Sequence, residues 1–226
     1  MSHGEAGGLE KAEKGFPYDA LVVLGAVMEW SPEQKRWEFP TIIDRYRGKL
    51  VMGKARALAA SELEGDAART LVTGGTDVHP ETGEVASRAT ELAKLMTERY
   101  KMSKEKVIPI GTADAGSVAG NVENVVTYLK EHPEMMRRHR IAILSPHFQK
   151  ERAQLMFDAN PYFKENGIKL DWVIVEDILE GRDPRYKQWT AAVYNTPEAE
   201  INRNMEQGGI QDLREGRYGK KKETEE

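Results

Sequence analysis

Three residues close together near the carboxyl half of the chain have side chains suited to chemistry: Ser145, His147 and Arg152, in the stretch SPHFQKERA. An imidazole moves protons near neutral pH, and a guanidinium clamps phosphate or carboxylate through paired N–H donors. Arg152 is spaced to reach back toward an anion at the amino end of the helix that follows. A second arginine, Arg56, lies on a helix-like stretch and offers the same planar clamp, or is an ordinary solvated arginine. Glu84, and Glu123 flanked by Asn121 and Asn124, are candidates to hold a hydroxyl, orient a water or act as a general base. The same residues can instead cap helices and satisfy backbone donors. Gly25, Gly74 and Gly75 let backbone amides approach a ligand, although any tight strand-to-helix turn uses glycine as well. Glu84, Glu123 and His147 are therefore the catalytic candidates, and the others are ligand-binding candidates.

Several chemistries are not supported. Ser145 lacks the GxSxG setting of a nucleophile elbow, and there is no GxGxxG for a dinucleotide. Asp77, His79, Glu81 and Glu84 have the residue types of a metal site but not a recognised ligand spacing, so no metal is expected. The chain has no cysteine, which removes disulfides, thiolate ligands and a cysteine nucleophile.

The candidates fall where a repeated pattern puts them. Ala20 to Leu24 is an uninterrupted apolar run ended by Gly25, as expected of a strand covered on both faces. Thr70 to Thr73 repeats it before Gly74-Gly75, Val107 to Ile110 before Gly111, Ile141 to Leu144 before Ser145-Pro146, and Leu170 to Val175 is a fifth run. Between them the sequence predicts helices over 42–63, 84–100, 117–131 and 148–163, from apolar spacing of three and four residues. Glu84 opens the second of these, where a carboxylate suits the helix dipole. Residues 29–40, with Trp30 and Trp37 but no steady period, read as a loop or lid. Strand and helix alternate, so the expected fold class is α/β, a three-layer sandwich around a central, mostly parallel five-stranded sheet. Ligands in such sheets sit beyond the carboxyl ends of the strands, which is where these residues gather.

The 226 residues suit one main domain. We read 1–15 as a mobile tail, 16–196 as the α/β domain, and 197–226 as a helical appendage with a charged tail. Thirty-three basic and 37 acidic residues leave a formal charge of -4, so the overall balance does not attract nucleic acid or an anionic membrane, and an anion site must be local. The longest apolar run is too short to span a bilayer, and the first fifteen residues lack a signal peptide's apolar stretch. The expectation is a soluble, cytoplasmic protein.

The order of DALVVLGA with Asp19 and Gly25, the helix bearing Arg56, LVTGG followed by Glu84, GNVENV with Asn121, Glu123 and Asn124, and SPHFQKERA resembles the YdcF, SanA and ElyC group of bacterial proteins over residues 18 to 176. That family places a histidine three residues before the arginine; Gln149 stands there, and His147 lies two residues earlier. The resemblance implies a Rossmann-like fold with a polar site across the strand ends, a link to envelope physiology, and S-adenosylmethionine as a possible ligand. Two functions follow as expectations. One is an enzyme acting on a phosphorylated or nucleotide-like small molecule, with the arginines neutralising charge and His147 moving a proton. The other is a non-catalytic binder of S-adenosylmethionine or another nucleoside. A third, an interaction module, would use the Trp30 and Trp37 loop.

Overall fold

The computed structural model describes residues 16–40, 50–112 and 116–218. The expected tail 1–15 and residues 219–226 of the charged tail lie outside them. The central sheet is built from β1 (Tyr18–Val23), β4 (Ala67–Val72), β7 (Val107–Pro109), β8 (Arg140–Ser145) and β9 (Lys169–Ile174). Their order across the sheet is β7-β4-β1-β8-β9, and every neighbouring pair is parallel. The chain thus winds outward from β1 to β4 and β7, then returns to β1's other edge with β8 and β9. This is a Rossmann-like arrangement, and its winding reverses between β1 and β8, the position at which such sheets open a crevice.

The uninterrupted apolar runs are explained by helices on both faces. In β1, Leu21 and Val23 pack into one core layer, and Ala20 and Val22 into the other. The first layer is completed by α1 (Gly53–Glu62), α2 (Arg88–Lys94) and α6 (Val175–Arg182), through Ala57, Leu92 and Leu179. The second is completed by α3 (Val118–Glu131), α4 (His147–Ala159) and α5 (Pro161–Glu165), through Leu129, Phe157 and Phe163. Burying one such side chain contributes roughly 1.5–3 kcal/mol, so the alternation within β1 anchors the sheet to both layers.

The structure departs from the sequence expectation in several elements. Residues 29–40 are not a loop: β2 (Glu29–Ser31) and β3 (Arg36–Glu38) form an antiparallel hairpin with Trp30 opposite Trp37. A second hairpin joins β5 (Thr76–Val78) to β6 (Val85–Ser87). Glu84 therefore precedes a strand and opens no helix; α2 starts at Arg88, where the Ser87 hydroxyl accepts the Thr90 N–H. Its last turn, Leu95–Arg99, widens into a π-helical one. The Trp30 and His79 rings pack 4.0 Å apart, tying the two hairpins together. Strand pairing and ring packing, absent from local periodicity, override the helical pattern.

The helix expected over 42–63 begins only at Gly53. Met52 before it is left-handed (φ 50°), and a Cβ on Gly53 would meet the Phe39 ring at 2.7 Å. Residues 41–49 lie outside the described part. The helix expected over 148–163 is interrupted at Asn160-Pro161, where the Asn160 side chain caps α5. Beyond β9 the chain continues as α6, α7 (Arg185–Tyr194) and the 18-residue α8 (Pro197–Arg214). No helix among the described residues is long and apolar enough to cross a membrane.

Candidate functional site

A cavity of about 290 Å³ opens beyond the carboxyl ends of the strands, at the reversal between β1 and β8. The strand ends form its floor. Gly25 follows β1, Gly74 and Gly75 follow β4, and all three line the cavity. Their approach is tight: a Cβ on Gly25 would sit 2.7 Å from Gly74 Cα, and one on Gly111 would sit 2.1 Å from the Gly74 carbonyl oxygen. Gly74 also adopts φ +151°, which side-chain-bearing residues rarely do. Thr73 links the two central strand ends, its hydroxyl accepting the Gly25 N–H at 3.0 Å and donating to the Val23 carbonyl at 3.2 Å.

Arg56 projects from α1 into the cavity wall and is only 3 % exposed. Its Nη1 donates to the Leu24 and Gly25 carbonyls at 2.9 and 3.0 Å, and Nη2 to the Val51 carbonyl at 3.3 Å. Nε has no partner among the described residues. Burial lowers the guanidinium's pKa to about 10, against the raising influence of Glu176, Tyr194 and Glu206, so it stays charged at neutral pH. The alanines of α1 allow this, because Ala55, Ala57, Ala59 and Ala60 let the helix sit close enough to carry a buried arginine at the strand ends.

Asn121 of α3 and Gln149 of α4 line the same cavity as Arg56. Each is more than nine-tenths buried, and each side-chain oxygen, as oriented, has no partner among the described residues. Unpaired buried polar atoms are costly, about 1–3 kcal/mol apiece, and the residues that carry three of them line one small cavity. The opening turn of α3 adds backbone donors, with Ser117 as its cap and Gly116, Ser117 and Val118 on the wall.

The remaining arginines are already matched. Arg152 lines the cavity but makes a two-pronged pair with Glu206 of α8, at 2.7 and 2.8 Å, and Nη1 reaches the Tyr218 hydroxyl at 3.1 Å. Burial raises the Glu206 carboxyl above its ordinary value even with Arg152 beside it. Arg88, also on the wall, pairs with Asp77 at 2.7 and 2.6 Å. Arg56 is thus the cavity arginine held by carbonyls instead of a carboxylate.

The expected anion position at the amino end of α4 is occupied by protein. Glu176, 3 % exposed, accepts the His147 N–H at 3.0 and 3.1 Å, and the Tyr194 hydroxyl donates to the same carboxylate. Tyr194 in turn accepts the Phe148 N–H at 3.3 Å, and burial beside Glu176 pushes its phenol pKa up. A carboxylate from this chain fills the place that α4 would offer to a bound anion.

Of the ligand-binding candidates, the structure brings Gly25, Arg56, Gly74, Gly75, Asn121 and Arg152 to one cavity. Asn124 stands off it, its Oδ1 accepting from the Thr112 hydroxyl at 3.0 Å. Ser145 is fully buried and its hydroxyl donates to the Pro146 carbonyl at 3.1 Å. The three catalytic candidates are not on the wall. Glu84 is exposed on the β5 to β6 turn, Glu123 is on the solvent face of α3 near Asn160, and the exposed His147 ring lies 6.4 Å from the Tyr194 ring. Helical geometry explains Glu123: neighbours two positions apart face different ways, so Asn121 points inward and Glu123 outward. Among the charged and amide side chains of the cavity wall, Arg88, Gln149, Asn202 and Glu206 were not site candidates from sequence. Gln149 carried a signal, since it stands where the group that the sequence resembles places a histidine; Asn202 and Glu206, on a distant helix, carried none.

Asp77 is taken by Arg88, and His79 Nδ1 accepts the Glu81 and Thr82 N–H groups at 3.1 Å. Among the described residues no three His, Asp or Glu side chains are grouped to hold a metal ion. Comparison with family models, curated proteins and solved structures finds no match to this chain.

Proposed function

We propose that this chain binds a small phosphorylated molecule in the cavity at the carboxyl ends of β1 and β4. The observation that carries the reading is Arg56, a buried cation held by carbonyls and without a carboxylate partner among the described residues, with Nε left over. A phosphate against the Arg56 guanidinium supplies the missing counter-charge, while Asn121, Gln149 and the Gly74 and Gly75 amides serve the hydroxyls around it. A cavity of about 290 Å³ suits a sugar phosphate or the phosphate end of a longer ligand. Because Glu84, Glu123 and His147 stand outside it, the reading is of binding, with no acid or base assigned.

The test is a calorimetric titration and thermal-shift screen with orthophosphate, glucose 6-phosphate and S-adenosylmethionine. Glucose 6-phosphate is expected to bind and raise the melting temperature by mass action. Asn121→Leu and Gln149→Leu should each weaken it about tenfold, in line with loss of a hydrogen bond to a charged or polar ligand, and Arg56→Met should abolish it. If Arg56→Met does not fold, the Asn121 variant decides. Absence of binding by both phosphate compounds at millimolar concentration would overturn the reading, and binding of S-adenosylmethionine alone would replace it with the nucleoside one.

A further inference from the structure

A second cavity, of about 900 Å³, lies at the opposite edge of the sheet, under the amino ends of β1 and β4. Two kinds of side chain dominate its wall. Arg69, Arg137 and Arg138 are exposed cations with no carboxylate partner among the described residues, and Phe16, Tyr18, Tyr128 and His132 supply rings. We propose that this cavity is a nucleotide site, taking a nucleoside diphosphate with its phosphates on the three arginines and its base against the Tyr128 and His132 rings.

The arginine-bearing loop is held in place before any ligand arrives. Asp19, 4 % exposed, accepts the Arg138 N–H at 3.0 Å through both oxygens and the Arg140 N–H at 3.1 Å. Between them His139 is left-handed (φ 52°), and its Nδ1 is 3.0 Å from the Asn166 carbonyl oxygen. The Asp19 charge is spent on these backbone donors, so the loop is fixed while its guanidinium groups stay free. Preorganisation of this kind lowers the ordering cost of binding. Arg69 is steadied by its own Nη1 bond to the Ala68 carbonyl at 3.0 Å.

The electrostatic setting has contributions of both signs. The carboxyl end of α3 adds roughly half a negative charge, and Glu134, near His132, and Asp19 add a full one each. Against these stand three guanidinium groups without a carboxylate partner among the described residues, and Lys106 lies 4.4 Å over the Phe16 ring. The Tyr128 and His132 ring centroids lie 4.4 Å apart with their planes tilted by 40°, so a base can stack on the face of one ring and meet the other at an angle. Phosphate alone would use only the arginines; a base joined to phosphates uses both halves of the wall.

Titration of ADP into the full chain tests this, in parallel with orthophosphate and with adenosine. ADP is expected to bind more tightly than either fragment. The affinity should fall about tenfold or more in Arg137→Ala/Arg138→Ala and in Tyr128→Leu, the latter by loss of stacking, and remain unchanged in Asn121→Leu of the first cavity. Both arginines are exposed and Arg138 holds Asp19 through its backbone N–H, which the substitution keeps, so the variant is expected to retain the fold, and circular dichroism checks this. ADP binding that is absent, insensitive to the arginine and tyrosine variants, no stronger than orthophosphate, or lost in Asn121→Leu would overturn the proposal. The last of these would move ADP to the strand-end cavity, which distinguishes failure here from failure of the sugar-phosphate reading.

Discussion

At the residue scale, Gly111 shows how closely the strand ends approach. A methyl group there would sit 2.1 Å from a backbone oxygen, so the chain must shift. Gly111→Ala is expected to destabilise by at least about 1–3 kcal/mol, as overpacking does. Gly65, with nothing within 4 Å of an added Cβ, is the matched control, and Gly65→Ala should stay within about 0.5 kcal/mol of wild type. Urea midpoints measure both; equal losses would mean that the glycines serve local flexibility and not the approach of β1, β4 and β7. His147→Ala is expected to leave ligand affinity within about twofold of wild type, since the residue is exposed and off the cavity wall and the variant keeps the backbone N–H that Glu176 accepts, a difference below about 0.5 kcal/mol. A tenfold loss in titration would return the histidine to the site.

At the element scale, α8 is the piece whose role sequence periodicity left open. It is one helix, and it closes a wall of the cavity with Asn202, Met205 and Glu206. Asn202 reaches back to Leu50, Nδ2 donating to the carbonyl at 3.0 Å and Oδ1 accepting the N–H at 3.2 Å. Gly209 gives up helix propensity, worth about 1 kcal/mol relative to Ala, yet a Cβ there would meet Arg152 Cδ at 2.9 Å. The exchange makes sense if helix and arginine must lie close. Asn202→Ala leaves two buried backbone groups of Leu50 unpaired and should cost about 2–4 kcal/mol, read by urea denaturation. A loss under about 0.5 kcal/mol would show that water replaces the amide without penalty.

For the whole molecule, the Arg152 and Glu206 pair gives a pH dependence with a definite sign. Because burial raises the Glu206 pKa above 4.5, the folded chain holds that proton more tightly than the unfolded one. The stability this group contributes is complete below pH 4.5 and is lost as pH rises through the raised value. Glu206→Gln removes the titration, so the variant should gain on wild type in melting temperature between pH 4 and pH 7. Wild type gaining on the variant over that interval would show instead that the ion pair outweighs the desolvation of its members.

The sheet strands and their covering helices were legible because each depends on neighbours in sequence: an apolar run such as Ile141 to Leu144 has to be buried on both faces wherever it lies. Glycines at strand ends and Arg56 were legible as candidates for the same reason, since strand ends in a parallel sheet share one edge. Local sequence does not contain the pairing of Trp30 with Trp37, the hairpin that displaces Glu84 from a helix start, or the choice of face that turns Asn121 inward and Glu123 outward. Nor does it contain the partners of a charge. Arg56 and Arg152 read alike along the chain, yet Glu206, 54 residues beyond Arg152, neutralises one while carbonyls hold the other. Burial and backbone periodicity are local properties that a sequence carries, whereas which charge remains unpaired depends on contacts between distant segments and is decided only when they pack.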